Sequence, residues 1–565
     1  MPYMIAVSLE MSDEPDILSW LNVTGRVRID NVYSKGENQL YATTDTYWTQ
    51  GSLKGSYNIS RTEEKQAYAD LMLNINKSFK NFSVNAVIGT NFTQTSREGN
   101  GFGGPLRDMP NFFNVYNVDK NIGGPSQSGW QERQFAWFGS AEVGYKSMLY
   151  LTVTARNEWA SQLANTEQPC YFFPSVGLSG VISEMVKMPD FITYLKVRGS
   201  YADVGSPIPR GLSQPGYTWN NQTQSWNPPS YRPIGKLYPE KTSSWEAGVN
   251  ARLFDNHVNV DVTWYLSDTK NQTFNVSTSA ATGYASMYLQ AGCVRNTGME
   301  IAVGYHNNWG GFGWNTNVTY SYNRNKIREL LENYYDPLSN EYYSIEALNK
   351  PGTRLMKGGS IGDIYTGYEF KRDQEGYIWI DPNTKNVVKE QLEEPKKIGS
   401  FLPKGNLGWN NTFSYKGISL STLITARLGG QVVSMTQAYM DFYGVSEASA
   451  QARDAGGIPV NNKTVDPEGY YQVVGGRTPI LGEYVYDATN VRLQELSLAY
   501  NLPKSWFGNK LNMTVSFIGR NLWMIYNKAP FDPESTASTG TYNQGKDYFM
   551  QPSQRNIGFG LKLQF

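Results

Sequence analysis

Alternation of apolar and polar residues recurs along almost the whole chain. Residues 148–156 read MLYLTVTAR, in which Leu149 and Leu151 share one side and Thr152 and Thr154 share the other. A period of two is typical of a β-strand that has one apolar and one polar face. The pattern therefore predicts an all-β chain.

About sixteen segments with this alternation follow one another along the sequence. They are predicted at 18–33, 66–79, 82–92, 134–145, 148–157, 171–182, 192–203, 243–253, 257–268, 296–306, 312–324, 405–415, 418–428, 489–501, 510–521 and 556–565. A soluble β-sandwich would show the same alternation, so the strands alone leave two fold classes open.

The connections between these segments alternate in length. Short links fall at 80–81, 146–147, 183–191, 254–256, 307–311, 416–417 and 502–509. Long links fall at 34–65, 93–133, 158–170, 204–242, 269–295, 325–404, 429–488 and 522–555. Short turns on one side and long loops on the other are typical of an outer-membrane β-barrel, whereas a sandwich has no reason to sort its loops. We therefore predict a transmembrane antiparallel β-barrel over residues 18–565, after an irregular lead over residues 1–17.

The barrel prediction also assigns the two faces of each strand and the two ends of the barrel to their surroundings. Apolar positions would face lipid and polar positions the lumen, with short turns periplasmic and long loops extracellular. By this alternation the basic residues predicted to face the lumen are Arg156, Lys196, Arg198, Arg427 and Arg520.

The last strand reads IGFGLKLQF and ends the chain with an aromatic residue. Its apolar face consists of Ile557, Phe559, Leu561, Leu563 and Phe565. We interpret this strand as a membrane-insertion signal, with an ordinary final core strand as the alternative.

Composition narrows the classes of function. The 565 residues carry 50 basic and 50 acidic side chains, so no basic surface for nucleic acid is expected. The mean hydropathy is −0.49, and no stretch approaches the roughly 20 apolar residues of a spanning helix. The first residues lack the pattern of a secretory signal. Aromatic residues make up 14%, which fits interfacial girdles and stacking surfaces alike.

Catalytic or metal chemistry has little support. Only two histidines and two cysteines occur, namely His257, His306, Cys170 and Cys293, so we expect no catalytic residue, metal site or cofactor. The glycine-rich stretch 99–104 lacks the βαβ context of a dinucleotide fingerprint. The stretch 381–386 (DPNTKN) lacks EF-hand spacing and is interpreted as a turn. We therefore expect a protein that is not an enzyme.

Binding is better supported, in two aromatic loops. The loop 204–242 sets Tyr217, Trp219, Trp226 and Tyr231 among prolines and amides. Rigid aromatic rings with polar edges suit a sugar, a peptide or a partner protein, and packing between loops is the alternative. In the loop 429–488 the candidates are Tyr439 and Tyr443.

Segments along the chain resemble motifs of the SusC/RagA family of TonB-dependent outer-membrane transporters. In chain order they are Trp20-Leu21-Asn22-Val23 with Arg26 and Asp30, Met109–Phe113 (MPNFF), Leu149–Trp159 (LYLTVTARNEW), Phe173–Gly177 (FPSVG), Leu195–Gly205 (LKVRGSYADVG), Leu237–Gly248 (LYPEKTSSWEAG), Asn296–Glu300 (NTGME), Asp487–Tyr500 (DATNVRLQELSLAY), Gly519–Leu522 (GRNL) and Phe531–Glu534 (FDPE). Their number and order extend the resemblance over essentially the whole chain.

The resemblance implies import of a nutrient across the bacterial outer membrane, an oligosaccharide first and an oligopeptide second. It implies a SusD-like surface lipoprotein and the TonB–ExbB–ExbD complex as partners. Family members place a plug and a TonB box before a barrel of about 22 strands. Neither is recognised here, so the sequence resembles the C-terminal portion of the family barrel without its plug. A barrel remnant or surface protein without transport is the alternative.

Overall fold

The computed structural model describes most of the chain as two units. The described residues are 3–11, 16–164, 166, 168–213, 216–220, 224–229, 231–232, 237–277, 284, 286–336, 341–350, 353–537 and 544–564. The first unit comprises Met1–Ser179, Ser200–Ser243 and Thr273–Gln290, and the second comprises Gly180–Gly199, Ser244–Gln272 and Ala291–Phe565.

Sixteen strands form an antiparallel sheet, which confirms the predicted fold class. They are β1 Leu21–Leu40, β2 Ser56–Phe79, β3 Phe82–Pro105, β4 Gly124–Tyr145, β5 Leu149–Ala160, β6 Cys170–Val181, β7 Ile192–Ser206, β8 Glu240–Leu253, β9 Val258–Ser277, β10 Ser286–Trp309, β11 Phe312–Glu329, β12 Gly405–Tyr415, β13 Ile418–Leu428, β14 Asn490–Asn501, β15 Asn512–Asn527 and β16 Asn556–Gln564. Each corresponds to one predicted segment, and several extend well beyond the predicted bounds.

Strands that are neighbours in the chain pair as hairpins. In the first unit, β1 to β5 pair in sequence, and the β2–β3 register runs unbroken from Ser56↔Pro105 to Phe79↔Phe82. In the second unit, β10 to β16 pair in the same way. This up-and-down order is the simplest way to satisfy every backbone group without a helix.

Several of the short connections are tight turns with left-handed backbone. Gly310 and Gly311 have φ values of 54° and 101°, and Lys416 and Gly417 have φ values of 46° and 86°. Two consecutive positive φ angles match the right-handed twist of paired strands. The predicted alternation in length is present only in part, because the links 161–169 and 278–285, which were predicted to be long, are no longer than the links 182–191 and 502–511 on the short side.

The distribution of exposed side chains is the reverse of that in a soluble sheet. Leu149, Leu151 and Val153 are 41%, 43% and 46% exposed, whereas Thr152 and Thr154 on the other face are half-buried. A soluble antiparallel sheet would cover the apolar face. Apolar residues that face outward on alternate positions are expected where lipid covers the strand.

The N-terminal lead departs from the sequence-based expectation. Residues 1–17 were predicted to be irregular, yet Tyr3–Met11 is a strand that pairs antiparallel with β1, from Tyr3↔Tyr33 to Met11↔Gly25. A short strand at Asp16–Leu18 also pairs with β1. The segment YMIAVSLEM alternates well enough to add to the free edge of β1, and an exposed edge favours such pairing.

The long connections contain three of the α-helices of the described residues and the shorter strands given below, whereas the helix Ile182–Met185 lies in the short connection between β6 and β7. The helices are α1 Ile182–Met185, α2 Met435–Phe442, α3 Glu447–Asp454 and α4 Pro467–Val474. The shorter strands are Thr218–Asn220, Ser225–Asn227, Tyr231–Arg232, Leu331–Asp336, Glu341–Ile345, Ala347–Lys350, Thr353–Met356, Asp363–Phe370, Lys389–Ser400, Gln431–Ser434, Ile458–Val460, Lys463–Val465, Val485–Asp487 and Lys546–Asp547. Within the described ranges, no helix is both long and apolar enough to cross a bilayer.

The main buried apolar clusters lie largely in these long connections. In the second unit, the connections 330–404, 429–489 and 528–555 form what we call the cap, whose main cluster includes Phe370 and Val474. A second cap cluster gathers Ile364, Phe401 and Val433. The cap is therefore a folded structure with its own core.

Candidate binding site on the second unit

An ion-paired cluster occupies the polar face of β7, β8 and β9 in the second unit. Arg198 Nη1 and Nη2 donate to the two carboxylate oxygens of Asp261 at 3.0 and 2.9 Å. Asn250 Nδ2 donates to the same carboxylate at 2.9 Å, and Arg198 Nη2 also reaches Thr263 Oγ1. The fork geometry of guanidinium and carboxylate fixes both side chains. Both remain about one-third exposed, so they offer polar atoms to a ligand.

A cavity of about 430 Å³ lies beside this cluster. Its walls come from strands β9 to β13 and from the Phe531–Glu534 segment of the cap. The polar residues that line it are Asp261, Thr263, Glu300, Thr319, Tyr320, Ser321, Asn406, Thr425, Arg427 and Glu534. Hydroxyls, amides and charges of both signs make this wall a surface for a polar ligand.

Arg427 contributes the cation of the cavity wall. One guanidinium nitrogen, Nη2, donates to the backbone oxygen of Phe401 at 2.5 Å. Its Nε is buried and has no hydrogen-bond partner among the residues that the structure describes. A buried donor without a partner costs about 1–3 kcal/mol, so a ligand acceptor there would recover free energy.

A buried ion pair holds the Phe531–Glu534 segment in place. Arg492 Nη2 lies 3.0 Å from Asp532 Oδ1 and 2.9 Å from Glu534 Oε2. The side chains of Arg492 and Asp532 are only 6% and 9% exposed. Burial alone would raise the pKa of Asp532, but hydrogen bonds from Ser553, the Glu534 N–H and Arg492 lower it. Glu534 is thereby positioned to line the cavity.

The other predicted lumen residues lie apart from the cavity. Arg156, in the first unit, forms an ion pair with Glu158 at 2.6 Å. Arg520 forms an ion pair with Glu495 at 2.9 Å and is largely exposed. Lys196 lies on the same face of β7 as Arg198, opposite the exposed Val197. The structure thus brings only Arg427, and Arg198 through Asp261, to the cavity, and a role for all five stays a prediction.

The aromatic residues of the loop 204–242 separate into exposed and packed ones. Tyr217 and Trp226 are each 64% exposed. Trp219 is paired opposite Trp226 in a short hairpin, and its side chain lies outside the described part. Tyr231 instead packs edge-on against Tyr288 at 5.1 Å and donates its hydroxyl proton to Gly211 O. Tyr231 therefore stabilises the loop rather than presenting a free face.

The tyrosines of the loop 429–488 belong to an aromatic patch on the cap. The ring of Tyr439 lies 6.0 Å from that of Tyr548 and 5.9 Å from that of Phe549. Tyr443, at the end of α2, is 70% exposed. Phe549 has a φ of 51° and remains 59% exposed. A bulky residue in the left-handed region is strained, and such strain is common where a side chain is presented for function.

The terminal strand presents its apolar face outward. Ile557, Phe559, Leu561 and Leu563 are 65%, 84%, 60% and 44% exposed. Phe565 lies outside the described residues. The pattern fits lipid contact, and the role as an insertion signal stays a prediction.

Residues considered for metal or catalytic chemistry take structural positions. His257 Nδ1 lies 2.9 Å from the backbone oxygen of His306. Asp381 accepts from the N–H groups of Asn383 and Thr384, so the DPNTKN stretch is a turn, as predicted. Among the described residues no group of three or more His, Cys, Asp or Glu side chains could hold a metal ion. Both cysteines are free thiols.

Sequence reasoning missed the acidic half of the site. Alternation in the predicted strand 257–268 puts Asp261 on the polar face, but it does not pair Asp261 with Arg198, because strand register cannot be read from alternation. Glu534 was recognised only as part of the FDPE motif. A charged residue inside a predicted transmembrane strand was the one available signal for Asp261.

Comparison with known proteins identifies the family to which the chain belongs. A family profile described as "TonB dependent receptor-like, beta-barrel" matches residues 8–356. TonB-dependent receptor P26 of Formosa agariphila is 27% identical over 524 residues, covering 86% of this chain and 52% of the relative. TonB-dependent receptor P3 of the same organism is 25% identical over 530 residues, covering 87% and 52%. The chain spans about half the length of these curated relatives.

A solved structure shares the fold. The RagAB peptide transporter superposes with a TM-score of 0.76 at 17% identity, covering 100% of this chain and 62% of the solved chain. The likeness supports the barrel fold.

Proposed function

The chain belongs to the TonB-dependent receptor-like β-barrel family, and from this premise we propose that it forms the barrel portion of an outer-membrane importer. The importer takes up a polar oligomer too large for porins, an oligosaccharide in the first place. The TonB–ExbB–ExbD complex supplies the energy for this import.

The inverted burial of the strands is the observation that carries this proposal. In the second unit, apolar residues such as Val197 and Val303 face outward, while the opposite face carries Arg198, Asp261 and the polar cavity. An outward apolar band with an inward polar wall is what a protein needs to guide a hydrated solute across a bilayer.

The charge arrangement of the cavity favours an oligosaccharide over a charged solute. Asp261 is neutralised by Arg198, and Glu534 is held by Arg492. Of the other lining groups, Glu300 and Arg427 have opposite charges, and the hydroxyls and amides match the hydroxyl groups of a neutral sugar. An oligopeptide is the second candidate, because Glu300 and Arg427 could bind its amino and carboxyl termini.

Uptake by cells tests both candidates. The gene is deleted in its host, and uptake of labelled neutral oligosaccharides and of labelled peptides is compared with that of the complemented strain. Loss of oligosaccharide uptake alone supports the proposal, and loss of peptide uptake alone selects the second candidate. Loss of neither contradicts import.

The cavity cation provides a finer test. Arg427→Gln removes the charge beside Glu534, and we expect the transport KM to rise several-fold. Lys504→Gln, on the short connection between β14 and β15, is the matched control and should leave uptake unchanged. Equal effects of the two variants would argue against a substrate contact at Arg427.

We further propose that a SusD-like lipoprotein docks on exposed aromatic residues of the long connections. Each unit offers its own candidate set of large exposed rings, of the kind that dominate protein interfaces: Tyr217 and Trp226 in the first unit, and Tyr443, Tyr548 and Phe549 in the second. Hydrogen–deuterium exchange with and without the lipoprotein should show protection at these segments. If the lipoprotein leaves the exchange of both aromatic segments unchanged, neither segment is the docking surface.

A further inference from the structure

The cap carries a second open groove, distinct from the cavity described above. Its volume is about 310 Å³, and it lies between the hairpin 371–388 and the hairpin formed by Ile458–Val460 and Lys463–Val465. The residues that the argument uses are Asp373, Tyr377, Trp379, Asn461, Asn462 and Lys463.

Two aromatic rings share one side of the first hairpin. Ile378 and Ile380 pack against the cap cluster, so the alternate residues Tyr377 and Trp379 project away from it. They are 57% and 37% exposed. The rise of a strand places side chains two residues apart at a separation of about 7 Å. The result is two exposed aromatic rings on the same side of the hairpin, both of which line the groove.

Both hairpins are fixed by buried contacts. Bridges join Arg372 to Ile378 and Ile380 to Val387, and Val387 is 2% exposed. Asn461 Nδ2 donates to Ile378 O at 2.9 Å and so links the tip of the second hairpin to the first. A site on such a supported scaffold loses little conformational entropy when it binds.

Polar groups surround these two rings. Among the residues that the structure describes, no hydrogen-bond partner is recorded for the Tyr377 hydroxyl, the Trp379 indole N–H, the Asn462 amide or the Lys463 ammonium. Asp373 holds its turn by accepting from the backbone N–H groups of Glu375 and Tyr377. Asp373 and Lys463 are the charged residues among those that line the groove, and the Lys371 ammonium lies 5.8 Å from the centroid of the Trp379 ring.

We propose that this groove binds a neutral oligosaccharide. A pyranose ring has an apolar C–H face that stacks on Tyr377 or Trp379, and its hydroxyls can donate to and accept from amide, indole and ammonium groups at the rim. The exposed rings of Tyr377 and Trp379 and the uncharged amides of Asn461 and Asn462 suit the C–H faces and the hydroxyls of a neutral sugar. This inference goes beyond the proposed function, because it concerns capture on the cap and does not require passage through the barrel.

Binding to the purified full chain tests the proposal. The protein in detergent is run on native gels containing a soluble starch, a xylan, a mixed-linkage glucan, a galactomannan or a neutral galactan, and it is titrated with the oligosaccharides of any polymer that retards it. We expect retardation by at least one polymer. Trp379→Ala should weaken binding at least tenfold, and Trp379→Phe should retain most of it, because a truncated aromatic anchor typically costs a tenfold factor or more.

An exposed tryptophan elsewhere gives the matched control. Trp506, on the connection between β14 and β15, is 64% exposed, and Trp506→Ala should bind as the unchanged protein does. Retardation by none of the polymers, or equal loss in both alanine variants, overturns the proposal. Uptake by cells is measured separately, so that a groove without affinity and a barrel without transport give different results.

Discussion

At the scale of single residues, Asn117 shows how a long connection acquires a fixed shape. Its amide is 5% exposed and satisfies four backbone groups. Its oxygen accepts from the N–H groups of Asp108 and Met109, and its nitrogen donates to the carbonyls of Met109 and Phe112. One side chain thus does the work that a strand partner would do for this part of the MPNFF loop.

Replacing Asn117 should loosen that loop alone. Asn117→Ala leaves two donors and two acceptors without partners, at a local cost of roughly 1–3 kcal/mol for each buried group left unsatisfied. Hydrogen–deuterium exchange should show faster exchange of the Asp108 and Met109 amides. Asn114→Ala removes a single exposed bond to the Tyr116 N–H and is the control. Unchanged protection in Asn117→Ala would show that the loop is held by other contacts.

Asp487 makes the local stability of the cap depend on pH. Burial opposes its charge, yet hydrogen bonds from Lys528 and Thr489 lower the pKa of Asp487 to about 2. The unfolded value is about 3.9, so the folded state favours the carboxylate. The stabilisation is therefore complete above about pH 4 and is lost as the pH falls towards 2.

The expected result is a fall in the protection of the Thr489 amide, which donates to Asp487 Oδ1, over this pH range. Protection factors measured by hydrogen exchange between pH 2 and pH 6 report it. Asp487→Asn cannot titrate and should show a flat profile at this amide. A similar slope in both proteins would assign the effect to another group.

At the scale of elements, the strands were predictable and the cap was not. Each strand repeats a two-residue period over many residues, as in β5, and lipid on one side enforces it throughout. The cap helices are only eight residues long, which is too short for a helical period to stand out. Asp466 followed by Pro467 was a usable signal for α4, because the Asp466 side chain accepts from the Gly469 N–H as an N-cap.

The terminal strand gives a prediction at this scale. Phe559 is 84% exposed on the outward face of β16 and pairs with Phe517. Phe559→Arg should destabilise the inserted strand by about 2–4 kcal/mol if the position lies at mid-bilayer. The protein is refolded into lipid vesicles and run unheated on a gel at low temperature, where the folded and unfolded forms migrate as separate bands. The fraction in the folded band measures the effect. Lys562→Arg, at a position of opposite parity, is the control, and equal yields would contradict lipid contact at Phe559.

At the scale of the whole molecule, the alternation of short and long connections predicts which ends face outward. After both native cysteines are changed to serine, Tyr47→Cys on a long connection and Lys80→Cys on a short one are compared in intact cells. Tyr47 is 80% exposed, and Lys80 occupies the turn between β2 and β3. A membrane-impermeant maleimide should label the first and spare the second until the cells are lysed. The reverse pattern would invert the proposed orientation.

The candidate site illustrates what remains beyond sequence at this scale. Arg198 and Arg427 were found by parity, but their surroundings depend on residues far away in the chain. Asp532 follows Arg492 by 40 positions and meets it only because a loop folds back. Such encounters follow from register and loop packing, neither of which alternation encodes.

The buried clusters of the long connections have a calorimetric consequence. Unfolding of the cap would expose Val433, Val474 and their neighbours to water, and newly hydrated apolar surface raises the heat capacity. The outward residues of the strands contact lipid acyl chains both before and after the cap unfolds. They therefore contribute little to the increase in heat capacity. A scan of the reconstituted protein should therefore show a heat-capacity step of a size set by the cap and the other long connections, and much smaller than 565 residues would give in a water-soluble protein.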